Sequence, residues 1–414
     1  MEHLYKRQYT LLQARGGPLG AHVDELVQQF VDEGYSKPVV QHAVRLVWHL
    51  GLWVDKHGMT TSQLTANNLQ RFLDNHSTHH CSQHGAAATL RRLSDLLVTK
   101  GVVAPSARNE PTPTQRLEEE FQQYLKQERR LAPNTLPNYL ASARRFLAEC
   151  FVDRKAGLDS LCAADVVRFV RKEAARIHNP HRAKSMTNGL RSFLQYAFYR
   201  GIISTDLRSS VPTVANWSMA SLPRSLPSDE VEHLLAQCDR DTALGRRNLA
   251  ILLLLARLGL RAGEVVSLML DDLDWERGEI CIRSLKGQNG HSDRLPMPQD
   301  VGAALAEYLR NSRPACSCRN VFICMSAPHR GFHGSTGIST LVSRALKRSG
   351  LDPVHKGAHV LRHSVATNLL RQGASLAEIG ELLRHRSQQA TMIYAKVDLD
   401  MLRPLALPWP RGAK

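Results

Sequence analysis

Long apolar runs are missing from this sequence. The most apolar stretch, LAILLLLARLGL from Leu249 to Leu260, is 12 residues long and contains Arg257. A helix that crosses a bilayer needs about 20 apolar residues, so the stretch reads as a buried core helix. The opening MEHLYKRQYT lacks the apolar segment of a secretory leader. Paired cysteines are lacking too. The eight cysteines follow no CxxC or framework spacing, and reduced thiols are expected. There is no GxxxxGK[ST] loop and no carboxylate cluster suited to two metal ions, which argues against nucleotide-driven or two-metal chemistry.

Acidic residues are the other shortage. Against 54 Lys and Arg stand only 38 Asp and Glu, a net charge of +16 with a sequence pI ≈ 9.8. Such an excess points to a polyanionic partner, with nucleic acid first. An anionic membrane surface fits less well, because the basic residues are spread over several segments instead of flanking an apolar anchor. Hydrophobic residues make up 43% of the 414, an ordinary share for a globular chain, and the length suits two or three domains of roughly 100–200 residues.

The chain divides into three zones and a tail: 1–104, 112–205, 224–398 and 399–414. Polar, Pro-containing SARNEPTPTQ (Ser106 to Gln115) separates the first two, and VPTVANWSMASLPRSLPSDE (Val211 to Glu230) precedes the third. The first two zones share a pattern. LTANNLQRFL (Leu64 to Leu73) parallels LCAADVVRFV (Leu161 to Val170), each after a helical segment with aromatics. A diverged repeat and two unrelated helical modules both explain this. Helices are expected near 114–128, 134–150, 163–177 and 181–200 in the second zone. Its Arg129, Arg130, Arg144, Arg145, Arg182, Lys184 and Arg191 are candidates for contact with a phosphate backbone; each alone reads as a solvated surface charge.

The third zone mixes element types. SDEVEHLLAQC starts a helix with Ser228 as the expected cap. Helices are expected at 248–258 and 262–270. GEICIRSLKGQNGHSDRLPMP then alternates strand, turn and strand, with Ile280 and Ile282 on one face and a turn at Asn289-Gly290. Helices resume near 299–311, 335–349, 361–372, 375–384 and 387–396. The expected class is mainly α with a small antiparallel β-sheet (α+β).

Chemistry concentrates in this zone. In LGLRAGEVVSL, Arg261 and Glu264 are three apart and share a helical face. Lys286 sits at the tip of the expected hairpin. GAHVLRHSVATNLL carries His359, Arg362 and His363, with His359 and Arg362 near a helix start where amide N–H groups favour phosphate. LLRHRSQQATMIYAKV adds His385 and Tyr394. A phosphodiester exchange needs forked cations, a nucleophile and proton carriers, and all these types are here. Taken alone, the tyrosine also reads as packing.

In their order, spacing and flanks (GLRAGE, HVLRHSVAT, LLRHRSQQATMIYAKV), Arg261, Lys286, His359, Arg362, His385 and Tyr394 resemble the tyrosine recombinase family of phage integrases and Xer-type recombinases, over roughly residues 112–400. The resemblance implies a site-specific DNA recombinase, an integrase or transposase of a mobile element. Tyr394 would attack the scissile phosphate to give a 3′-phosphotyrosyl link and a free 5′-hydroxyl. Arg261 and Arg362 would grip the nonbridging oxygens, and Lys286 would protonate the leaving oxygen. His359 would take the tyrosine proton, His385 would donate to the phosphate and Glu264 would orient Arg261. Neither ATP nor a metal is implied. The family usually has Gly-His where this chain has Arg384-His385, which would shift the loop or add a phosphate contact.

The implied architecture is a helical, SAM-like core-binding domain at 112–205 and a catalytic domain at 224–398, closing as a C-shaped clamp on double-stranded DNA. A homotetramer would hold paired sites, alone or with related recombinases and accessory factors, in a bacterial cytoplasm. The zone 1–104 would be an added DNA- or protein-binding module, and the tail a strap in cis or a dock in trans. Two other readings stay open: a type IB topoisomerase, and a DNA-binding accessory protein without catalysis. HSTHHCSQH (His76 to His84), and CSCRNVFIC with His329 and His333, invite a zinc reading but lack its spacing. Trp48 and Trp53 read as core.

Overall fold

The computed structural model describes residues 9–79, 85–105, 112–152, 158–214, 225–283, 292–353, 356–385 and 387–397. The chain separates into two compact units, one holding 107–220 and the other 1–106 together with 221–414. The tail from 399, the Lys286 turn with its Asn289-Gly290 signal, and His80–His84 lie outside the described residues. Among the described residues no helix is long and apolar enough to cross a membrane.

The first helical module comprises α1 (Tyr9–Gly16), α2 (Gly20–Asp32), α3 (Lys37–Lys56), α4 (Ala66–His79) and α5 (Ala86–Thr99). On α3, Val40, Val44, Val47, Leu50 and Val54 recur every three or four residues and form a single buried stripe. That stripe meets Val23, Leu26 and Phe30 of α2 and Leu90, Leu93 and Leu97 of α5 in one core. Trp48 and Trp53 pack against its edge.

The second module comprises α6 (Pro113–Gln127), α7 (Leu136–Val152), α8 (Ala163–Arg176) and α9 (Pro180–Tyr199). Local chemistry starts its helices. Thr112 and Gln115 form a reciprocal capping box on α6. Asn179 accepts from the amides of His181 and Arg182 at 2.9 and 3.3 Å, with Pro180 in the first turn of α9. Phe121, Phe146, Phe169 and Phe193, one from each helix, meet in its core.

The third zone comprises α10 (Ser228–Ala236), α11 (Ala243–Leu258), α12 (Ala262–Ser267), strands β1 (Leu273–Asp274), β2 (Glu279–Arg283) and β3 (Ser292–Pro296), then α13 (Gln299–Asn311), α14 (Ser335–Arg348), α15 (Ala358–Arg371), α16 (Leu376–Leu382) and α17 (Gln388–Thr391). The sheet is antiparallel in the order β1-β2-β3, with Ile280 opposite both Leu273 and Leu295. Ile280 and Ile282 face the core together. Every residue of α11 from Gly245 to Leu255 except Arg246 is buried, so the most apolar run of the sequence is the second half of a central helix.

The helix expected over 262–270 stops at Ser267 and the one expected from 361 begins at Ala358; three further boundaries differ from the sequence reading. Thr242 caps the amide of Gly245 at 3.1 Å, which starts α11 five residues earlier than expected. Pro227, not Ser228, occupies the cap position of α10, because the Ser228 hydroxyl is engaged with Asn368 at 2.8 Å. The helix expected over 387–396 is in two pieces. After the single turn of α17 the chain bends at Met392-Ile393 and resumes as a 3-10 turn, Tyr394–Val397.

Candidate active site

Gly259 ends α11 in the left-handed conformation, φ +57, and a Cβ there would come within 2.6 Å of Leu383. The turn delivers Arg261 to the cap position of α12. Glu264 answers with both oxygens: one accepts the Arg261 amide at 2.8 Å, the other its guanidinium at 2.7 Å. The three-residue spacing is thus a capping contact as well as an ion pair. Glu264 is only 8% exposed. Burial pushes its carboxyl up, but Arg384, the Arg261 amide and the Arg261 guanidinium outweigh this and hold it below the usual glutamate range.

Arg362 enters from α15 and is 4% exposed. Its two terminal nitrogens donate to the carbonyls of Gly259 and Leu383, tying the end of α11 to the end of α16. Burial lowers its pKa to about 10, and Arg261 adds to the effect, so the guanidinium stays charged at neutral pH. His359 lies one turn earlier on the same helix. Burial, then Arg362 and Arg261, push its pKa down.

Arg384, at the place where the resemblance leads one to expect glycine, has φ +54, a conformation glycine adopts without strain and arginine does not. Its side chain turns inward. It is 7% exposed and donates to Glu264 at 2.8 Å, while its carbonyl accepts from Arg261 at 3.1 Å. The backbone strain is offset by a buried bond to a carboxylate already shared with Arg261. His385 follows, its Nδ1 2.7 Å from the Thr391 hydroxyl. Burial, then Arg362, Arg261, Arg384 and His363, push its pKa down to about 4.

Tyr394 is 1% exposed. It packs in a small cluster with Val365, Ala366, Ile379 and Leu383, separate from the main core. Its hydroxyl lies 2.9 Å from Nδ1 of His363. Burial raises the phenol's pKa, while Arg362 and Arg261 pull it down. The imidazole on the tyrosine is therefore His363 and not His359, whose ring centre is 6.4 Å from that of His363. His363 was visible in the sequence but carried no assignment; its 31-residue separation from Tyr394 gave no local signal.

The structure thus brings Arg261, Glu264, Arg362, His359, His385 and Tyr394 together around the ends of α11 and α16, while Lys286 lies outside the described residues. In the second module the candidate contacts divide. Arg191 is a strut: it donates to the Val211 and Pro212 carbonyls at 3.0 and 3.2 Å. Arg144 is paired with Glu118 and Arg145 with Glu173, and Arg129 donates to Gln195. Arg130, Arg182 and Lys184 are exposed. Among the described residues no group of three or more metal-ligating side chains forms; Nδ1 of His329 is directed to the Cys324 carbonyl at 3.1 Å.

A buried phenol against an imidazole, beside two guanidiniums, supplies the groups that attack by a tyrosine on a phosphodiester requires. Comparison with known proteins agrees. The phage integrase family matches residues 224–400, and the phage integrase N-terminal SAM-like domain matches 119–201. A Sinorhizobium fredii protein provisionally named integrase/recombinase y4rA is 41% identical over the full length of both chains. The tyrosine recombinase XerD of Listeria monocytogenes is 32% identical, over 67% of this chain and 93% of its own. Among solved structures, a XerH site-specific recombinase bound to a palindromic difH substrate shares the fold with TM-score 0.55 at 20% identity, covering 73% of this chain and 92% of that one. The chain belongs to the phage integrase family and is a tyrosine site-specific recombinase.

Proposed function

We propose that this protein recombines the ends of a mobile element by cutting and rejoining double-stranded DNA through Tyr394. The observation that carries the reading is the Tyr394 hydroxyl on His363, in the electrostatic reach of Arg362 and Arg261. The phenol oxygen attacks the scissile phosphorus while its proton passes to Nδ1 of His363. The bond from phosphorus to the 5′-oxygen breaks, and that oxygen takes a proton from Lys286. The products are a 3′-phosphotyrosyl link and a 5′-hydroxyl; the reverse step with a new 5′-hydroxyl rejoins the strand. Arg261 and Arg362 bear the charge that builds on the nonbridging oxygens. His359 and His385 donate to the same oxygens, and Glu264 fixes Arg261.

Tyr394 is closed off in this state, so the segment from α17 through the 3-10 turn must shift to present it. Residues 112–205 serve as the core-binding domain and 224–398 as the catalytic domain. Four copies hold paired sites, with the tail 399–414 acting within or between them and with related recombinases or accessory proteins as further partners. The test is a nicked duplex carrying the element's ends, incubated in EDTA and run on a denaturing gel. A covalent adduct that disappears in Tyr394→Phe supports the reading. An adduct retained by that variant overturns it, and intact duplex binding with no adduct from wild type favours an accessory protein. Relaxation of supercoiled DNA without sequence preference would favour a topoisomerase.

A further inference from the structure

We infer that the first module is a second copy of the core-binding fold, one that has lost its phosphate-gripping face and is seated on the catalytic zone instead. The order of elements is shared. The run α2, α3, 3-10 turn Thr61–Gln63, α4, α5 parallels α6, α7, 3-10 turn Leu158–Ser160, α8, α9. The six buried positions of α5, Ala86, Thr89, Leu90, Leu93, Leu96 and Leu97, each have a buried counterpart 100 residues on in α9. Val40, Val47, Leu50 and Gly51 of α3 have theirs 96 residues on, at Leu136, Ala143, Phe146 and Leu147.

The agreement extends to single main-chain bonds. Both modules end on a glycine in the left-handed conformation, Gly101 at φ +70 and Gly201 at φ +69. Two β-branched residues follow, and both their amides return to one carbonyl. Val102 and Val103 donate to Leu97 at 2.9 and 3.3 Å; Ile202 and Ile203 donate to Ala197 at 2.8 and 3.3 Å. A glycine ending of this kind is a common local device, found also at Gly34, Gly350 and Gly373; the shared feature is the second amide returning to the same carbonyl, at matched spacing in the two modules.

The surface chemistry is not shared. Residues 112–205 hold sixteen Lys and Arg against nine Asp and Glu, whereas residues 1–104 hold ten against eight. Arg168, Arg171 and Lys172 of α8, exposed although Asp165 pairs with the first and Glu149 with the last, correspond, 97 residues back, to Arg71, Asp74 and Asn75. Arg144 and Arg145 of α7 correspond, 96 residues back, to Trp48 and His49. In place of the lost charge there is a built contact. The Glu33 carbonyl accepts the His329 amide at 2.9 Å. Gly34, at φ +80, admits the His329 ring so closely that a Cβ would lie 2.1 Å from it. Arg92 of α5 braces the turn from behind: it pairs with Glu33 at 2.6 Å and lies over the Phe30 and Tyr35 rings at 5.1 and 5.2 Å.

This inference takes the second module as the one that grips DNA, but its test needs no strand cleavage and stands apart from that reading. Two measurements on the full chain decide it. The first is amide exchange by mass spectrometry. Gly34→Val and, independently, Arg92→Ala should each speed exchange in the peptide spanning 322–332 several-fold while peptides of the α3 core stay protected. Unchanged exchange at 322–332 in both variants overturns the seat. The second is the salt dependence of affinity for a long duplex of arbitrary sequence. Replacing Arg168, Arg171 and Lys172 together by alanine should lower the log–log slope by about 2–3, at roughly 0.9 per lost phosphate contact. Replacing exposed Arg45, Arg71 and Arg91 together should leave it unchanged. A fall of about 1 or more in the second triple would make the first module a DNA clamp and overturn the inference.

Discussion

The two halves of the active site are built differently. The arginine half is locked: Arg362 is bonded to two backbone carbonyls, and Glu264 is shared by Arg261 and Arg384. Arg261 and Glu264 open the short α12 directly after the long α11, and Arg362 lies in the first half of α15, all against the main core. The tyrosine half is lightly held. Tyr394 rides on a 3-10 turn after a one-turn helix, in a satellite cluster, with Met392 beside it exposed. The difference teaches a division of labour. Charge stabilisation works best when its dipoles are fixed before the reaction begins, whereas a nucleophile that must be withheld until DNA is in place belongs on an element that is inexpensive to move.

That contrast can be broken from either side. His363→Ala should reduce formation of the covalent adduct by about 10²–10⁴-fold, the usual worth of a positioned base, with duplex affinity unchanged; equal losses in binding and cleavage would contradict it. Arg362→Lys keeps the charge but loses the fork, and cleavage should fall by about 10²–10³-fold, read in single-turnover assays. Glu264→Gln removes the carboxylate from two guanidiniums in a buried network and should lower stability by about 3–5 kcal/mol. Because the folded-state pKa of Glu264 is depressed, its contribution is present above the usual glutamate value and disappears as pH falls through the lowered one. The melting curves of wild type and variant should therefore converge only in acid.

His385 works in a different window. Its folded pKa is lowered to about 4, against about 6.5 for an unperturbed histidine. The unfolded chain binds the proton first, so this residue subtracts stability as pH falls from about 6.5 to about 4. His385→Gln should flatten that part of the stability profile. The smallest effect on DNA is expected of Arg384→Gly. Relief of the left-handed arginine, roughly 1–2 kcal/mol, only partly offsets the loss of a buried partner of Glu264, about 3–5 kcal/mol, so stability should fall by about 1–4 kcal/mol while duplex affinity stays unchanged. A tenfold loss of affinity would mean that Arg384 does reach DNA.

Much of the locked half could be read from the sequence. Arg261 and Glu264 are neighbours in sequence and fold as one capping unit, and His359 and Arg362 share a helix face, so local spacing carries the geometry. The remainder depends on packing between segments far apart. Nothing near Tyr394 points to His363, nothing near Arg384 says that its side chain turns inward to Glu264, 120 residues away, and Arg191 shows itself as a strut only once the 211–212 segment lies against it. The break at Met392-Ile393 was likewise hidden, because TMIYAKV carries no glycine or proline to mark it. In the first module the paired motifs raised a repeat, but the matched glycine endings became meaningful only as hydrogen bonds.

The central claim is that Tyr394 is the residue joined to DNA. The most direct measurement is mass spectrometry of the adduct trapped on a nicked duplex, after digestion of both protein and DNA. The account predicts a nucleotide remnant attached through a 3′-phosphate to the peptide containing Tyr394, and to no other. A remnant on a different tyrosine, or on a serine or histidine, would contradict it.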